Sequence, residues 1–236
     1  MCGRYKTTRQ DQLVAEMELA RADDAEVAAV VATAPALPAG LTSWWAPRWN
    51  VAPTQPAPIV VMRARPTLTL MRWGLVPHWA DDPAIGHRMI NARAESLAGK
   101  PAFRDALRKR RCLIVADGFY EWRAAAARKA PRQPFLLGPD AGPVTFAGLW
   151  DRWLSPAGWI ESFTIVTTAA APLVAPLHDR MPLVIAPADR ARWLAADEVP
   201  AEALGDLLSG PPLAGWTVTE VEPWINAPGR ERGAAP

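Results

Sequence analysis

The chain has few of the residues that staple small folds together or hold metals. Of 236 residues, two are cysteine and three are histidine. Cys2 sits beside the terminus and Cys112 lies inside an apolar run, which excludes a disulfide framework and makes a reducing cytosol the expected setting. His78, His87 and His178 show no close ligand spacing with the thiols, so no structural zinc site and no cofactor are expected. Long apolar runs are missing too. The N-terminal stretch carries Arg4, Lys6, Arg9, Asp11, Glu16, Glu18, Arg21, Asp23, Asp24 and Glu26, which leaves no signal-peptide core. No later run is long enough for a membrane span, so no membrane partner is expected. Strong charge is also absent. A net charge of +2 is not the balance of a protein that coats nucleic acid. Arg104, Arg108, Lys109, Arg110 and Arg111 crowd together, and a lone basic cluster of this kind reads first as a solvated helix face.

What the chain does have is apolar mass. Half of it is hydrophobic, and a chain of this length buries roughly 70–75% of its extended surface without staples. Twelve tryptophans are present. Most belong in a core, although Trp with Arg also makes stacking platforms for bases.

Thr8 and Asp11 ahead of Leu13, Val14, Met17 and Leu19 predict a capped amphipathic helix. An irregular Ala/Pro/Trp-rich loop is expected from about Ala32 to Trp49, then an extended segment, Trp49-Asn50-Val51-Ala52-Pro53. Strands are predicted at Ile59–Arg63, Thr67–Trp73, Arg111–Asp117, Phe119–Trp122, Pro134–Leu137, Val144–Trp150, Ile160–Thr167 and Pro182–Ile185. Short helices are predicted at Phe103–Arg110, Ala169–Ala175, Ala188–Ala196 and Ala201–Leu208, and a basic hairpin loop at Ala124–Arg132. Strands dominate and no βαβ alternation appears. The expected fold class is α+β: one domain over residues 1–227, a curved, barrel-like, mostly antiparallel sheet flanked by short helices, then a loose tail from Pro228 to Pro236.

Cys2 is the most informative position. Methionine is trimmed when a small side chain follows, so the mature chain is expected to begin at Cys2, with an α-amine and a thiol on adjacent carbons. Such a 1,2-aminothiol condenses with an aldehyde, first to an imine and then to a thiazolidine. The alternative is a cysteine tolerated at a frayed end.

Four further segments carry chemistry-bearing residues. Ile90-Asn91-Ala92-Arg93-Ala94-Glu95-Ser96 offers an amide to orient an amine and an arginine to clamp phosphate, or else a helix start with exposed charges, the stronger reading on spacing alone. Phe119-Tyr120-Glu121-Trp122 places a carboxylate among aromatics, where desolvation raises its pKa; alternation puts Glu121 on the face opposite Tyr120 and Trp122, which leaves that burial open. Leu177-His178-Asp179-Arg180-Met181-Pro182 offers an imidazole for proton transfer beside a pair readable as an Asp179–Arg180 ion pair. Arg72-Trp73-Gly74-Leu75-Val76-Pro77-His78-Trp79 is an aromatic turn that either stacks on bases or closes a core.

Taken together and in order, Met1-Cys2-Gly3-Arg4-Tyr5, Trp49-Asn50-Val51-Ala52-Pro53-Thr54, Arg72 to Pro77, Ile90 to Glu95, Asp117-Gly118-Phe119-Tyr120-Glu121-Trp122 and His178-Asp179-Arg180-Met181-Pro182 resemble the SOS-response-associated peptidase (SRAP) family, from Cys2 to about Pro187. The Ala-rich stretch Ala22–Pro47 and the tail after Glu222 depart from the family pattern. The resemblance implies one α+β domain with a DNA-binding cleft that captures abasic sites in single-stranded DNA as a covalent crosslink. It implies that Cys2 is the nucleophile, Asn91 positions the amine and the opened sugar, Glu121 opens the sugar ring and shuttles protons, and His178 is a second acid/base linked to reversal. Arg4, Asn50, Trp73, Arg93, Thr167 and Thr168 are implied as DNA contacts. The implied partner is single-stranded DNA carrying abasic sites, met by a cytoplasmic monomer that associates with the nucleoid when bound. Two rival readings remain: a thiol peptidase with Cys2 as nucleophile and His178 as base, which needs an oxyanion hole, and a non-covalent single-strand binder built on Trp and Arg. Intact mass spectrometry is expected to show Met1 missing and, after incubation with an abasic oligonucleotide, a heavier covalent species; retention of Met1 removes the aminothiol from consideration.

Overall fold

The computed structural model describes residues 2–23, 25, 27–28, 30, 43–123, 132–156, 158–210, 213–228 and 230–231. Among the described residues, the strands are β1 (Tyr5–Thr7), β2 (Ala20–Arg21), β3 (Arg48–Val51), β4 (Pro56–Met62), β5 (Pro66–Trp73), β6 (Asn91–Arg93), β7 (Arg111–Ala116), β8 (Gly118–Arg123), β9 (Gln133–Pro139), β10 (Val144–Ser155), β11 (Gly158–Ala169), β12 (Arg180–Pro182), β13 (Val184–Ile185) and β14 (Trp216–Glu220). Among the described residues the α-helices include α1 (Gln10–Glu16), α2 (Arg104–Lys109) and α3 (Arg190–Leu194), all short. Every strand predicted from the sequence is present, along with β1, β2, β6 and β14, which had no pattern of their own.

The chain meanders β4–β5 and β10–β11 as antiparallel hairpins, with β7 joining them. β5 then meets β11 in parallel, Arg72 opposite Ser162 and Trp73 opposite Phe163, which closes β11-β10-β7-β4-β5 on itself. A barrel of mixed direction results. A second, five-stranded sheet in the order β14-β9-β8-β1-β3 packs against it.

Alternation along the barrel strands explains their unbroken apolar runs. Ile59, Val61, Cys112 and Ile114 point into the core shared with Tyr5, Phe119 and Phe135 of the second sheet, while Val60, Leu113 and Val115 point into a core with Leu107, Trp193 and Leu194 on the helical side. Strands buried on both faces read as continuous hydrophobic stretches rather than as alternating ones. Arg111, at the start of β7, is buried and donates to the carbonyls of Leu107, Arg108, Trp193, Ala195 and Asp197. Arg108 and Lys109 pair with Glu198 and Arg110 with Asp151. Arg111 therefore ties β7 to α3 and Arg110 ties the end of α2 to β10, while Arg104, Arg108 and Lys109 keep the expected exposed helix face.

Three sequence expectations are corrected. Thr8 does not cap α1: its amide and hydroxyl both donate to Asp117, and no side chain caps the helix. The helix predicted over Ala169–Ala175 is absent because Ala169 is held in the β11–β12 ladder opposite Arg180, and only turns follow. Two 3-10 turns, Ala201–Leu204 and Leu207–Ser209, replace the predicted helix Ala201–Leu208. Farther along, the Glu231 carboxylate accepts from the Trp49 amide at 2.6 Å and pairs with Arg48. The predicted Ala124–Arg132 hairpin lies outside the described residues apart from Arg132.

Gly118 is required where β7 turns into β8. A Cβ there would lie 2.4 Å from the Leu137 carbonyl oxygen of β9. Gly118→Ala is expected to lower stability by about 2–4 kcal/mol in urea denaturation, because backbone on both sides must shift; a cost under about 0.5 kcal/mol would show the contact relaxes freely.

Candidate active site

Cys2 is placed by the strand that follows it. β1 is an interior strand, Tyr5 opposite Val51 of β3 on one side and Phe119 of β8 on the other. Asp117 locks the far end, accepting from the amides of Thr8 and Arg9 at 2.9 and 3.2 Å and pairing with Lys6. At the near end, Tyr120 donates its amide to the Arg4 carbonyl at 3.0 Å. Cys2 is consequently fully buried, its thiol 3.6 Å from the same carbonyl. Burial, reinforced by the charge of Glu121, pushes the thiol pKa far above its ordinary range. At neutral pH it is a thiol, not a thiolate.

Asn91 opens β6, which runs parallel to β11 with Asn91 opposite Ile165. The short strand is pinned from behind: the Ile90 carbonyl accepts from the Trp73 indole at 2.8 Å and from the Ile165 amide at 3.1 Å. The Asn91 amide nitrogen then donates to the Cys2 carbonyl at 2.8 Å, while its Oδ1 is buried with no hydrogen-bond partner among the described residues. The segment that spacing alone favoured as a helix start is a strand followed by a 3-10 turn over Ala94–Ser96.

Glu121 shares the face of β8 that carries Phe119 into the Cys2 core, so alternation buries it rather than exposing it. It is 4% exposed, and desolvation raises its carboxyl from the ordinary range to about 7. His178 lies in the turn between β11 and β12. Its Nδ1 is 2.7 Å from Asp179 Oδ1 and accepts the Arg180 backbone N–H at 2.9 Å. Burial lowers its pKa. The pair anticipated between Asp179 and Arg180 is replaced: Arg180 forks onto Glu95 at 2.6 and 2.9 Å and donates to the Thr167 carbonyl, and Asp179 turns to His178.

The anticipated DNA contacts divide. Arg93 is exposed, and Arg4 and Thr168 are half-buried. Arg4 donates to Asn50 Oδ1 and to the Ile225 carbonyl at 3.0 and 2.8 Å and lies over the Trp122 ring. Trp73, Asn50 and Thr167 are buried. Trp73 is packed between Tyr5 and Phe163, ring centroids 5.3 and 6.3 Å away. The Asn50 amide is engaged by the carbonyls of Ala227 and Arg230, and the Thr167 hydroxyl faces Ala92. Sequence reasoning missed Asp117, Glu95, Asp179 and Arg180; all four sit within the quoted motifs, but only the folded register shows which partner each takes.

A closed mixed barrel backed by a second sheet, with a buried cysteine ahead of β1 whose carbonyl is held by an amide and whose thiol feels a buried carboxyl, defines a single α+β domain. The chain belongs to the SOS response associated peptidase (SRAP) family, whose model matches residues 1–228. It is 36% identical over 185 residues to the abasic site processing protein YoqW of Bacillus subtilis, covering 77% of this chain and 82% of that one. It is 28% identical over 187 residues to the abasic site processing protein HMCES of Xenopus tropicalis, covering 66% of this chain and 56% of that longer one. Crystal structures of proteins from Bacteroides thetaiotaomicron and Bordetella bronchiseptica share the fold, with TM-scores of 0.77 and 0.70 at 22% and 23% identity; they cover 98% and 94% of this chain and 97% and 100% of their own.

A carboxyl with a raised pKa favours folding while it is protonated in the native state. That contribution is complete below the unfolded value near 4.5 and is lost as pH rises through about 7. Glu121→Gln is therefore expected to gain stability relative to the parent between pH 5 and 8 in thermal melts. A difference that is constant with pH would show that Glu121 ionises normally.

Proposed function

We propose that this protein processes abasic sites in single-stranded DNA by forming a covalent thiazolidine crosslink through Cys2. The observation that carries the reading is the hydrogen bond from the Asn91 amide to the Cys2 carbonyl, with the buried Glu121 carboxyl against the same core. Its relatives named as abasic site processing proteins support the substrate.

The chemistry follows from the two nucleophiles. Hydrolysis of the Met1–Cys2 peptide bond consumes one water, releases methionine and frees the Cys2 amine; in this reading the chain performs that step on itself. The opened sugar of an abasic site presents an aldehyde. The amine adds to its carbon, the hydroxyl of that adduct leaves as water, and an imine remains. The thiol then adds to the imine carbon, its proton passes to nitrogen, and the ring closes. The amine must act first, because the buried thiol holds its proton.

Asn91 is suited to orient that amine through its unpartnered Oδ1 while its Nδ2 holds the next carbonyl. Glu121, titrating near 7, is about half protonated at neutral pH, which suits a group that opens the sugar, gives a proton to the departing hydroxyl and takes one back. His178 serves as the second proton carrier and in reversal. Arg93 and Arg4 supply sequence-independent contacts to phosphate, which predicts binding that weakens with salt. The thiol-peptidase reading is disfavoured: it needs a thiolate, and burial opposes one. We further propose that the domain acts as a monomer in the cytoplasm, associated with the nucleoid when bound to DNA.

Cys2→Ala is expected to abolish the heat-stable adduct with an abasic single-stranded oligonucleotide on denaturing gels. Cys2→Ser retains the amine and is expected to give an imine trapped by borohydride and some strand cleavage. If Cys2→Ala crosslinks as well as the parent, the aminothiol mechanism is wrong.

A further inference from the structure

Asp179 has no role in the chemistry above, yet its carboxylate stands 2.7 Å from the His178 ring. Two groups compete for one nitrogen. The Arg180 backbone N–H points at His178 Nδ1 from 2.9 Å, and Asp179 Oδ1 stands 2.7 Å from the same atom. An N–H can be accepted only by a bare Nδ1, which places the proton of the neutral ring on Nε2. A carboxylate is satisfied only when Nδ1 carries a proton. The His178 amide, bonded to the Val174 carbonyl at 3.1 Å, holds the turn between these two options. Arg180 itself is kept from Asp179 by its fork onto Glu95 and its bond to the Thr167 carbonyl.

We propose that Asp179 is a positioning residue that lets His178 hold and release a proton, accepting Nδ1–H in the charged ring while the Arg180 amide fixes the Nε2–H tautomer of the neutral one. The inference rests on the reading of His178 as a proton carrier in crosslink chemistry. The charged groups around the ring set its sign. Asp179 favours the imidazolium; Arg180 and the chain's terminal amine oppose it. Glu95 lies behind Arg180, holding its charge. Across on β8, Glu121 also feels Asp179, whose charge favours its protonated form. One acidic side chain thus biases both proton carriers toward holding a proton. Asp179 is 85% exposed, so its influence is screened and falls as salt is raised.

The test uses the full-length protein and Asp179→Asn, which keeps size and polarity. Nitrogen-15 NMR titration of His178, assigned with His178→Asn, reads the ring without any DNA. The parent is expected to show Nε2–H in the neutral form, and D179N is expected to titrate about half to one pH unit lower at low salt, with the gap closing near 0.5 M salt. Crosslink formation and reversal on an abasic oligonucleotide, followed across pH 5–9, are expected to shift to lower pH in D179N by the same interval. A uniform loss of rate without a shifted midpoint would mean Asp179 is merely structural and overturns the proposal, as would an unchanged His178 titration. If the parent itself forms no crosslink while the NMR shift is seen, the reading of the site as crosslinking fails and the Asp179–His178 coupling stands.

Discussion

Everything at the site depends on β1 being an interior strand. A terminal strand on a sheet edge frays, and with it any group on its first residues. Here β1 is hydrogen-bonded on both sides, by β3 and β8, and Asp117 ties its exit. A residue just before such a strand inherits its rigidity. Cys2 is consequently fixed, and on the proposed mechanism the groups that act with it are supplied by distant strands. A displacement of about 1 Å between reacting groups costs a large part of what orientation contributes, so this anchoring is a chemical requirement as well as a structural one.

The closing parallel contact between β5 and β11 has a corresponding role on the other wall. It seats Trp73 beside Phe163, and the indole then holds Ile90 in place for Asn91. The tryptophan that the sequence offered as a base-stacking platform acts one layer further in, as the support of the asparagine. Loss of its ring would thus reach the site through Ile90, with no contact to a ligand at all.

The legible part of the sequence was what period and order carry. Strongly apolar strands such as β4 and β7 announced themselves, and the ordered motifs pointed to one family. Three-residue strands such as β1 and β6 have too little length for a period to show, and they form against neighbours already in place, β3 and β8 for β1 and β11 for β6. The same limit hid the burial of Glu121. Alternation correctly separates it from Tyr120 and Trp122, but both faces of β8 are covered, so being on the other face meant burial against the Cys2 core. Partner choice was likewise beyond reach: Arg180 sits beside Asp179 in sequence and pairs with Glu95 from the 3-10 turn after β6.

The burial of the Cys2 thiol bears on selectivity. A thiol held in its protonated form, away from solvent, is a poor ligand for soft metals and a poor target for oxidants, since the thiolate is the reactive species in both cases. It is equally poor at attacking aldehydes directly. On the proposed mechanism this is no handicap, because the amine makes the first bond. The resulting imine carbon is then within the reach of the adjacent carbon's sulfur, and an intramolecular ring closure gains orders of magnitude in effective concentration over an encounter in solution. The same burial that silences the thiol toward bulk reagents thus leaves it competent for the one electrophile its own amine has captured.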